Sequence, residues 1–355
     1  ETVGSGEPRI DFSNDAKGAL LLEPESTNKI IQSQDFGTSW DFFNGSSIST
    51  NQSIAPDGTL TADKIISNGS DFGFTIPSSN PVVSIGKITF SLFAKADNET
   101  EGWLRLDYGT TIYNRKFNLT TQTFSNGFDN TGNIPDSEQI IDYGNGWFRL
   151  IITANANSTS FEPRIYVTGN TGASVNDSLF LWGAQLEQGS YATSYIPTQG
   201  SAVTRSAEEG IDGGAGTPIF SNTSAVWFID LERIGIDTDS TGSAIALRNS
   251  SFSQQIRLHF DAPSSNIRFR DGVNGYATIS TITGANANVR KKIALRIDGS
   301  TLSTFDNGSK IGSDYTAPNA FNLEEIDFSS IGFKIHDMRF YNTALTDSEL
   351  QALTT

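Results

Sequence analysis

The chain contains no cysteine, one methionine and only two histidines in 355 residues. Without cysteine it cannot form a disulfide framework, a zinc–thiolate site or a thiol nucleophile, so its stability must come from packing. A Ser-His-Asp hydrolase would require His259 or His336, and no Gly-x-Ser-x-Gly turn flanks any serine. Both histidines are therefore predicted to be structural or surface residues.

Positive charge is also scarce, with 24 lysines and arginines against 40 aspartates and glutamates and a net charge of −16. This balance argues against a nucleic-acid partner, because phosphate binding requires a basic surface. It also disfavours docking on an anionic membrane, and the lack of a run of about 18 apolar residues argues against membrane insertion. An acidic surface is compatible with neutral glycans and with cation-assisted binding of acidic glycans.

Motifs for catalysis are missing as well. No phosphate-binding or dinucleotide-binding glycine pattern follows a predicted strand. Carboxylate pairs such as Glu324 and Glu325 lie in turns or at strand ends and carry no glycosidase signature. The chain is therefore predicted not to be an enzyme and to need no cofactor.

A metal site is the least defined feature of the sequence. No Asp-x-Asp-x-Asp-Gly loop marks an EF-hand. Calcium held by backbone carbonyls and scattered carboxylates would leave no linear pattern, so a structural calcium ion stays open. The weak candidate ligands are Asp237 and Asp239, for which a plain acidic loop is the simpler interpretation.

The residues that are present favour β-sheet. Gly, Ser, Thr and Asn are abundant, aromatic residues make up 11%, and short alternating segments are separated by turn residues. This spacing predicts an all-β fold of two consecutive antiparallel β-sandwich (jelly-roll) domains. A short C-terminal helix is also predicted, because Thr346 and Glu349 form a capping-box pattern and Leu345, Leu350 and Leu353 can share one apolar side.

A change of composition after Pro197 divides the chain. Residues 198–217 are small, polar and rich in glycine, as in a linker. We therefore predict an N-terminal lead-in segment at 1–27, a jelly-roll domain at 28–200, a linker at 201–217 and a second β-sandwich at 218–355. Because the sequence starts at Glu1 and its single methionine is Met338, we expect a processed or cut product with any earlier segment out of view.

Alternation along the strands of the first domain predicts a sheet face that carries aromatic and charged side chains. Such a face suits sugar binding, because a pyranose ring stacks on a flat aromatic ring while arginine and aspartate bind its hydroxyls. An ordinary solvated sheet face carries the same residue types, so both interpretations stay open. The candidate ligand-binding residues are Trp103, Arg105, Asp107, Tyr113, Arg115, Arg149, Arg164 and Tyr166.

Residues 9–205 resemble a domain that is common in structural proteins of tailed phages. The resemblance rests on Glu23–Asn28, Ser33–Phe36, Trp40, Ala55–Lys64, Ser91–Lys95, Gly146–Arg149, Leu181–Glu187, Tyr191–Thr198 and Ala202–Arg205. The string that ends in Ser-Tyr-Ile-Pro-Thr198 is its most specific part. These phage domains are similar to jelly-roll carbohydrate-binding modules, which bind glycans on a sheet face. The resemblance implies a tail-fibre, head-fibre or other virion-surface role, often as a homo-oligomer.

The second half resembles the laminin-G-like, concanavalin A-like lectin superfamily. The residues that carry this resemblance are Ile293–Gly299, Phe305–Gly308 and Ile335–Leu345 with the following Thr346–Leu353. The first two segments look like a strand–turn–strand of that family, and the last looks like its closing strand and helix. The resemblance implies a lectin-like sandwich and transfers no binding residue to this chain.

Three functional interpretations follow. The first is a phage virion-surface protein, from a tail or head fibre or a decoration, that binds or adheres to host surface polysaccharide. The second is the binding-module portion of a secreted, extracellular bacterial polysaccharide-active enzyme or adhesin, and the third is a purely structural virion component. The expected partners are a host-cell glycan, other virion proteins and further copies of the chain, with a trimer compatible with the phage resemblance.

Overall fold

The computed structural model describes residues 8–13, 15–69, 74–108, 111–126, 133–167, 174–214, 221–234, 243–260, 265–271, 275–283, 288–328 and 332–355. The chain forms two compact units. Unit 1 consists of Ser26–Arg205, and unit 2 consists of Thr2–Glu25 together with Ser206–Thr355. The predicted lead-in segment is thus divided between the units, and the change of unit falls inside the predicted linker.

The strands of unit 1 are β3 (Ser26–Asn28), β4 (Trp40–Phe43), β5 (Ser46–Ser53), β6 (Ala62–Asn68), β7 (Phe74–Pro77), β8 (Gly86–Ala96), β9 (Glu101–Tyr108), β10 (Thr111–Asn118), β11 (Thr123–Asn126), β12 (Ser137–Asp142), β13 (Trp147–Ala156), β14 (Glu162–Tyr166), β15 (Val175–Gln188) and β16 (Val203–Arg205). Sheet I has the order β11-β10-β9-β14-β7-β4, and sheet II has the order β12-β13-β8-β15-β6-β5. Strands β3 and β16 form a separate pair. The main pairings within both sheets are antiparallel.

The elements of unit 2 are β1 (Arg9–Asp11), β2 (Ala19–Leu22), β17 (Gly210–Gly213), β18 (Ser224–Arg233), β19 (Ser243–Arg248), β20 (Gln254–Phe260), β21 (Ser265–Asp271), β22 (Tyr276–Ile282), β23 (Arg290–Asp298), β24 (Thr301–Asp306), β25 (Ser309–Thr316), β26 (Glu325–Phe328), β27 (Phe333–Tyr341) and α1 (Asp347–Thr354). Sheet III has the order β1-β2-β27-β18-β23-β24-β25, and sheet IV has the order β17-β26-β19-β20-β21-β22. The predicted fold class, two antiparallel β-sandwiches with one short C-terminal helix, is confirmed.

The core of each sandwich is formed by apolar side chains at alternating positions along its strands. In unit 1, Phe90 and Leu92 of β8 and Leu104 and Leu106 of β9 are fully buried in one core cluster. Residues between these positions point away from the core, because successive side chains of a strand alternate between the two faces. The outer face of sheet II consequently has its own small apolar cluster, which contains Phe93, Trp147 and Trp182 with Ala55 and Ala62.

The N-terminal strands are part of the second sandwich. Strand β2 pairs with β27 in the register Leu20↔Ile335, and Leu22 belongs to the core of unit 2. Arg9 of β1 donates from Nη2 to Glu23 at 2.5 Å and to Glu208 at 2.6 Å. Strands β1 and β2, which lie within the predicted lead-in segment at 1–27, therefore belong to sheet III.

The helix α1 covers the outer face of sheet III. Its Leu350 is fully buried in a cluster with Val226, Phe228 and Phe305. Thr346 is the N-cap and forms the predicted capping box with Glu349. In the part of the chain that the structure describes, α1 is short and polar, and no helix has the length and apolar character needed to cross a membrane.

Replacing the cap, Thr346→Ala, is expected to lower the free energy of unfolding of unit 2 by about 1 kcal/mol, because a backbone donor of α1 loses its acceptor. The box with Thr346 lowers the pKa of Glu349. The stabilisation that the ionised Glu349 gives to the capping box is therefore present at neutral pH. It is lost as the pH falls through the folded-state pKa of Glu349. Urea unfolding at two pH values measures both effects. The exposed Gln351→Ala is the control, and an equal loss in both variants would contradict a specific role of the cap.

Candidate functional site

The register of sheet I brings most of the predicted ligand-binding residues onto one face. Strand β14 pairs with β9 so that Tyr166 lies opposite Trp103, and Arg164 lies opposite Arg105. Asp107 continues the same face of β9, because it follows Arg105 by two residues. This face points away from the core, since Leu104 and Leu106 between these positions are buried inside unit 1.

The two aromatic rings on this outer face are covered. Trp103 is 2% exposed and Tyr166 is 4% exposed. A sugar needs a free ring face for stacking, so neither side chain provides one in this structure. The stacking role predicted for Trp103 and Tyr166 is therefore not available to them.

The charged side chains of the outer face bind one another. Arg105 Nη2 lies 3.1 Å from Asp107 Oδ2, and Arg164 Nη2 lies 3.7 Å from the same oxygen. Arg164 also donates from Nε to Glu162 Oε1 at 2.5 Å. These groups are partly exposed, yet much of their hydrogen-bonding capacity is used within the protein.

Tyr113 and Arg115 lie on the other face of sheet I, contrary to the prediction. Strand β10 pairs with β9 so that Tyr113 is opposite Leu106 and Arg115 is opposite Leu104. Both side chains therefore point to the interior. Arg115 forms a bidentate pair with Glu138, with Nε–Oε2 and Nη2–Oε1 distances of 2.7 Å. Arg115 therefore joins sheet I to sheet II through Glu138, and its guanidinium is engaged within the protein.

Arg149 belongs to a different sheet. It lies on β13 of sheet II, where it is opposite Phe93. Its guanidinium lies 5.4 Å from the centre of the Phe93 ring, and Nη2 donates to Ser91 Oγ at 2.9 Å. Arg149 thus packs on the outer apolar cluster of sheet II and cannot share a face with Trp103.

The predicted calcium ligands Asp237 and Asp239 lie outside the described residues. Within the ranges that the structure describes, no group of three or more histidine, aspartate or glutamate side chains is placed to hold a metal ion.

Unit 1 contains a polar cavity of about 360 Å³ that the sequence did not predict. This volume is in the range of small-ligand sites. Amide, hydroxyl and carboxylate side chains from four separate segments of the chain surround it. The lining residues are Gln34, Asp35, Gly37, Thr38, Thr50, Asn51, Thr61, Asp63 and Gln199.

Asp63 is the buried member of this lining, with 1% of its surface exposed. Its Oδ2 accepts from the backbone N–H of Phe36 at 2.8 Å, and its Oδ1 accepts from that of Asn51 at 2.8 Å. Burial raises the pKa of Asp63, and the nearby Asp35 carboxylate adds to this effect, while the backbone donors oppose it. The carboxylate therefore joins the loop at Phe36 to strand β5 beneath the cavity.

One wall of the cavity is supported by the outer apolar cluster of sheet II. Trp182 donates from Nε1 to Thr61 Oγ1 at 3.1 Å. The Trp182 ring packs against Phe93 and Tyr195, with centroid distances of 5.3 and 4.6 Å. The hydroxyl of Thr61 is thus held in place by a packed aromatic group.

Sequence reasoning missed the cavity because its residues are far apart along the chain. The local signals were present: Asp35 accepts from the backbone N–H of Gly37 at 2.9 Å, as in an Asx turn, and Asn51 has a positive φ of 56°. The first is a turn signal, and the second marks an irregularity within β5, whose register with β6 shifts between Ser49 and Ser53. Only the pairing of β5 with β6 brings the segments around Thr50 and Asp63 together.

Searches with protein-family models and against curated proteins found no match. Among solved structures, galectin LEC-6 of Caenorhabditis elegans matches with 16% identity and a TM-score of 0.28, covering 38% of this chain and 95% of the galectin. Domains LG4-5 of the mouse laminin α1 chain match with 9% identity and a TM-score of 0.28, covering 98% of this chain and 96% of that chain.

The sialidase of Trypanosoma rangeli, in complex with the inhibitor DANA, matches with 12% identity and a TM-score of 0.32. The match covers 90% of this chain and 65% of the sialidase. Because the matched structures include an enzyme, the sequence-based prediction that this chain is not an enzyme is contradicted. At this identity and TM-score the match assigns no reaction and no catalytic residue. At their identities and TM-scores the galectin and laminin matches likewise assign no role to this chain.

Proposed function

We propose that this chain binds carbohydrate and that the polar cavity of unit 1 is a binding site. The observation that carries the proposal is the lining of the cavity, which combines hydrogen-bond donors and acceptors in a space of about 360 Å³. A sugar hydroxyl both donates and accepts, so it requires partners of both kinds. The amides of Gln34, Asn51 and Gln199 and the hydroxyls of the threonines supply them.

The lining favours a neutral sugar. No lysine or arginine is among the residues around the cavity, and Asp35 and Asp63 are both acidic. An anionic substituent would therefore meet carboxylates without a compensating cation. The exposed Asp35 carboxylate can instead accept hydrogen bonds from the hydroxyls of a neutral ring.

We further propose that the protein acts at the surface of a phage particle, where it adheres to host polysaccharide. The support is the resemblance of residues 9–205 to structural proteins of tailed phages. Other virion proteins and further copies of the chain would be its partners in that setting. Mass spectrometry of purified particles and of culture supernatant tests this location, since recovery only as a soluble secreted protein would contradict it.

The variant Asn51→Gly tests the cavity with little disturbance of the fold. Asn51 has a φ of 56°, which glycine adopts without strain, so the change removes the side-chain amide and keeps the backbone conformation of β5 at this position. We expect about tenfold weaker binding of the best neutral oligosaccharide from a glycan array, because about one buried hydrogen bond is lost. Titration calorimetry measures the affinity.

Asn145→Gly is the matched control, because Asn145 is exposed in unit 1 and has a φ of 53°. It should bind as the unchanged protein does. If the full chain retains no neutral glycan on the array, or if Asn51→Gly and Asn145→Gly bind alike, the cavity is not a sugar site.

A further inference from the structure

A row of hydrogen bonds leads from the surface of unit 1 into the wall of the polar cavity. It begins at the Asp57 carboxylate, in the loop between β5 and β6, and passes through the hydroxyl of Thr59 to that of Thr61, which lines the cavity. Thr59 Oγ1 lies 2.7 Å from Asp57 Oδ1 and 2.7 Å from Thr61 Oγ1. The Trp182 indole donates to the same Thr61 oxygen at 3.1 Å. Thr61 therefore has two partners within the protein.

The direction of each hydrogen bond in this row follows from the groups that form it. An ionised carboxylate only accepts, whereas a hydroxyl has one hydrogen and two lone pairs. Thr59 consequently donates its hydrogen to Asp57 and accepts the hydrogen of Thr61. The indole N–H of Trp182 only donates, so it occupies one lone pair of Thr61 Oγ1. One lone pair of Thr61 is left for the cavity, and its hydrogen is not.

Both ends of the row are anchored. The backbone N–H of Thr59 also donates to Asp57 Oδ1 at 2.9 Å, and the carbonyl of Thr59 accepts from the backbone N–H of Ala55 at 2.8 Å. At the other end, Trp182 is 3% exposed and packs in the outer apolar cluster of sheet II. The Thr61 hydrogen can therefore turn toward the cavity only by breaking the bond to Thr59.

Asp35 adds a second acceptor to the lining of the cavity. Its Oδ1 accepts from the backbone N–H of Gly37 at 2.9 Å, and its exposed carboxylate has further lone pairs. Asp63, by contrast, uses both oxygens for backbone N–H groups. Asp35 and Thr61 thus both require a hydrogen from whatever occupies the cavity. An ether or ester oxygen at either position would face them lone pair to lone pair.

We propose that Thr61 is a specificity-determining residue of the cavity and selects a sugar with a free hydroxyl at the position that it contacts. This assignment rests on the proposed sugar-binding function of the cavity. The sugar hydroxyl donates its hydrogen to the remaining lone pair of Thr61. A sugar that is methylated or acetylated at that oxygen has no hydrogen to donate and leaves the acceptor unpaired, so it is rejected. The polysaccharide class is therefore neutral and unsubstituted at the recognised hydroxyl.

The test uses the full chain and the methyl glycosides of glucose, galactose, mannose and N-acetylglucosamine, each with its monodeoxyfluoro derivatives. Fluorine is close to a hydroxyl in size and cannot donate. Nitrogen–proton correlation NMR follows the indole N–H of Trp182, identified by its loss in Trp182→Phe. A bound parent glycoside should shift this signal, because Thr61 accepts from both groups, and should leave the signal of Trp227 in unit 2 unchanged. The derivative fluorinated at the recognised position should bind about tenfold more weakly.

The variant Thr59→Val reverses this selectivity without touching the lining. Thr59 is exposed and is not among the lining residues, and valine has nearly the same shape. The change removes the acceptor of the Thr61 hydrogen, which can then be donated to fluorine. The affinity ratio of parent to fluorinated glycoside should therefore fall from about tenfold to below about threefold. Thr121→Val is the matched control, because the exposed Thr121 hydroxyl lies 2.7 Å from that of Thr123, and it should keep the tenfold ratio.

The outcomes separate this role of Thr61 from the proposed function. If a parent glycoside binds without a shift of the Trp182 signal, or if Thr59→Val keeps the original ratio, Thr61 does not determine specificity, while sugar binding by the cavity stands. A purely structural role of the row would lower the unfolding midpoint of Thr59→Val and leave the ratio unchanged. Binding of no parent glycoside overturns the role of Thr61, and a glycan array without any neutral hit overturns the sugar site as well.

Discussion

Replacing Asn28 by alanine is expected to destabilise unit 1 by about 4 kcal/mol, because it leaves several buried backbone groups without partners. Asn28 is fully buried. Its Nδ2 donates to the carbonyls of Ala184 and Ile196 at 3.1 and 2.9 Å. Its Oδ1 accepts from the backbone N–H groups of Ile30 and Leu186, both at 3.1 Å. One side chain therefore connects three segments of unit 1.

Chemical unfolding followed by tryptophan fluorescence measures this loss, because Trp40, Trp103, Trp147 and Trp182 are all in unit 1 and only Trp227 is in unit 2. Asn155→Ala is the control: this exposed side chain should change the free energy of unfolding by no more than about 0.5 kcal/mol. A loss below about 1 kcal/mol in Asn28→Ala would show that water replaces the amide, and would contradict the connecting role.

Replacing Arg248 by methionine is expected to destabilise unit 2 by about 3–5 kcal/mol, because removing one partner of a buried ion group leaves uncompensated charge. The Arg248 side chain is 3% exposed, and the Glu325 and Asp327 side chains are 8% and 17% exposed. Arg248 Nη2 also donates to Asp327 Oδ1 at 3.1 Å. Without the guanidinium, two carboxylates on one short strand would repel each other in a partly dry environment.

A triple variant distinguishes the loss of charge balance from the loss of packing. Adding Glu325→Gln and Asp327→Asn to Arg248→Met removes all three charges, and should restore part of the stability that the single variant loses. The control is Arg339→Gln, since the exposed pair of Arg339 with Asp337 should contribute no more than about 1 kcal/mol. Thermal unfolding monitored by circular dichroism compares the variants. The Arg248 guanidinium carbon lies 3.9 Å from the centre of the Phe252 ring. If the triple variant recovers no stability, the loss in Arg248→Met comes from this packing contact and not from unbalanced charge.

Residues in the segments that resemble phage domains, Leu181–Glu187 and Tyr191–Thr198, have structural roles in unit 1. Gln185 accepts from the backbone N–H of Ile196 at 2.6 Å. Glu187 accepts from Ser26 Oγ at 2.6 Å and from the backbone N–H of Thr193 at 3.1 Å. These side chains attach the segment after β15 to the edge of the sandwich. This part of the resemblance thus reflects packing and hydrogen-bonding requirements of unit 1.

The sequence predicted correctly which side chains of one strand share a face. It did not predict which faces of neighbouring strands lie on the same side of the sheet. Trp103, Arg105 and Asp107 share a face because alternation has a period of two in any strand. Tyr113 and Arg115 also share a face with each other, as predicted, but the pairing register of β10 with β9 turns both inward. The local signal for the inward orientation is Phe117, which lies on the same face of β10 and is fully buried in the core of unit 1.

Local patterns in the sequence determined the all-β class, the alternation within each strand and the capped C-terminal helix. These features depend on residues only a few positions apart, where steric preference and side-chain spacing act directly. Tertiary structure alone decided that β1 and β2 join sheet III, that Arg149 lies on sheet II, and that segments distant in the chain line the polar cavity. Tertiary structure also decided that Arg257 of β20 lies opposite Arg268 of β21. Each of these outcomes depends on pairing between segments far apart in the chain, which is governed by the packing of the whole core and leaves no local pattern.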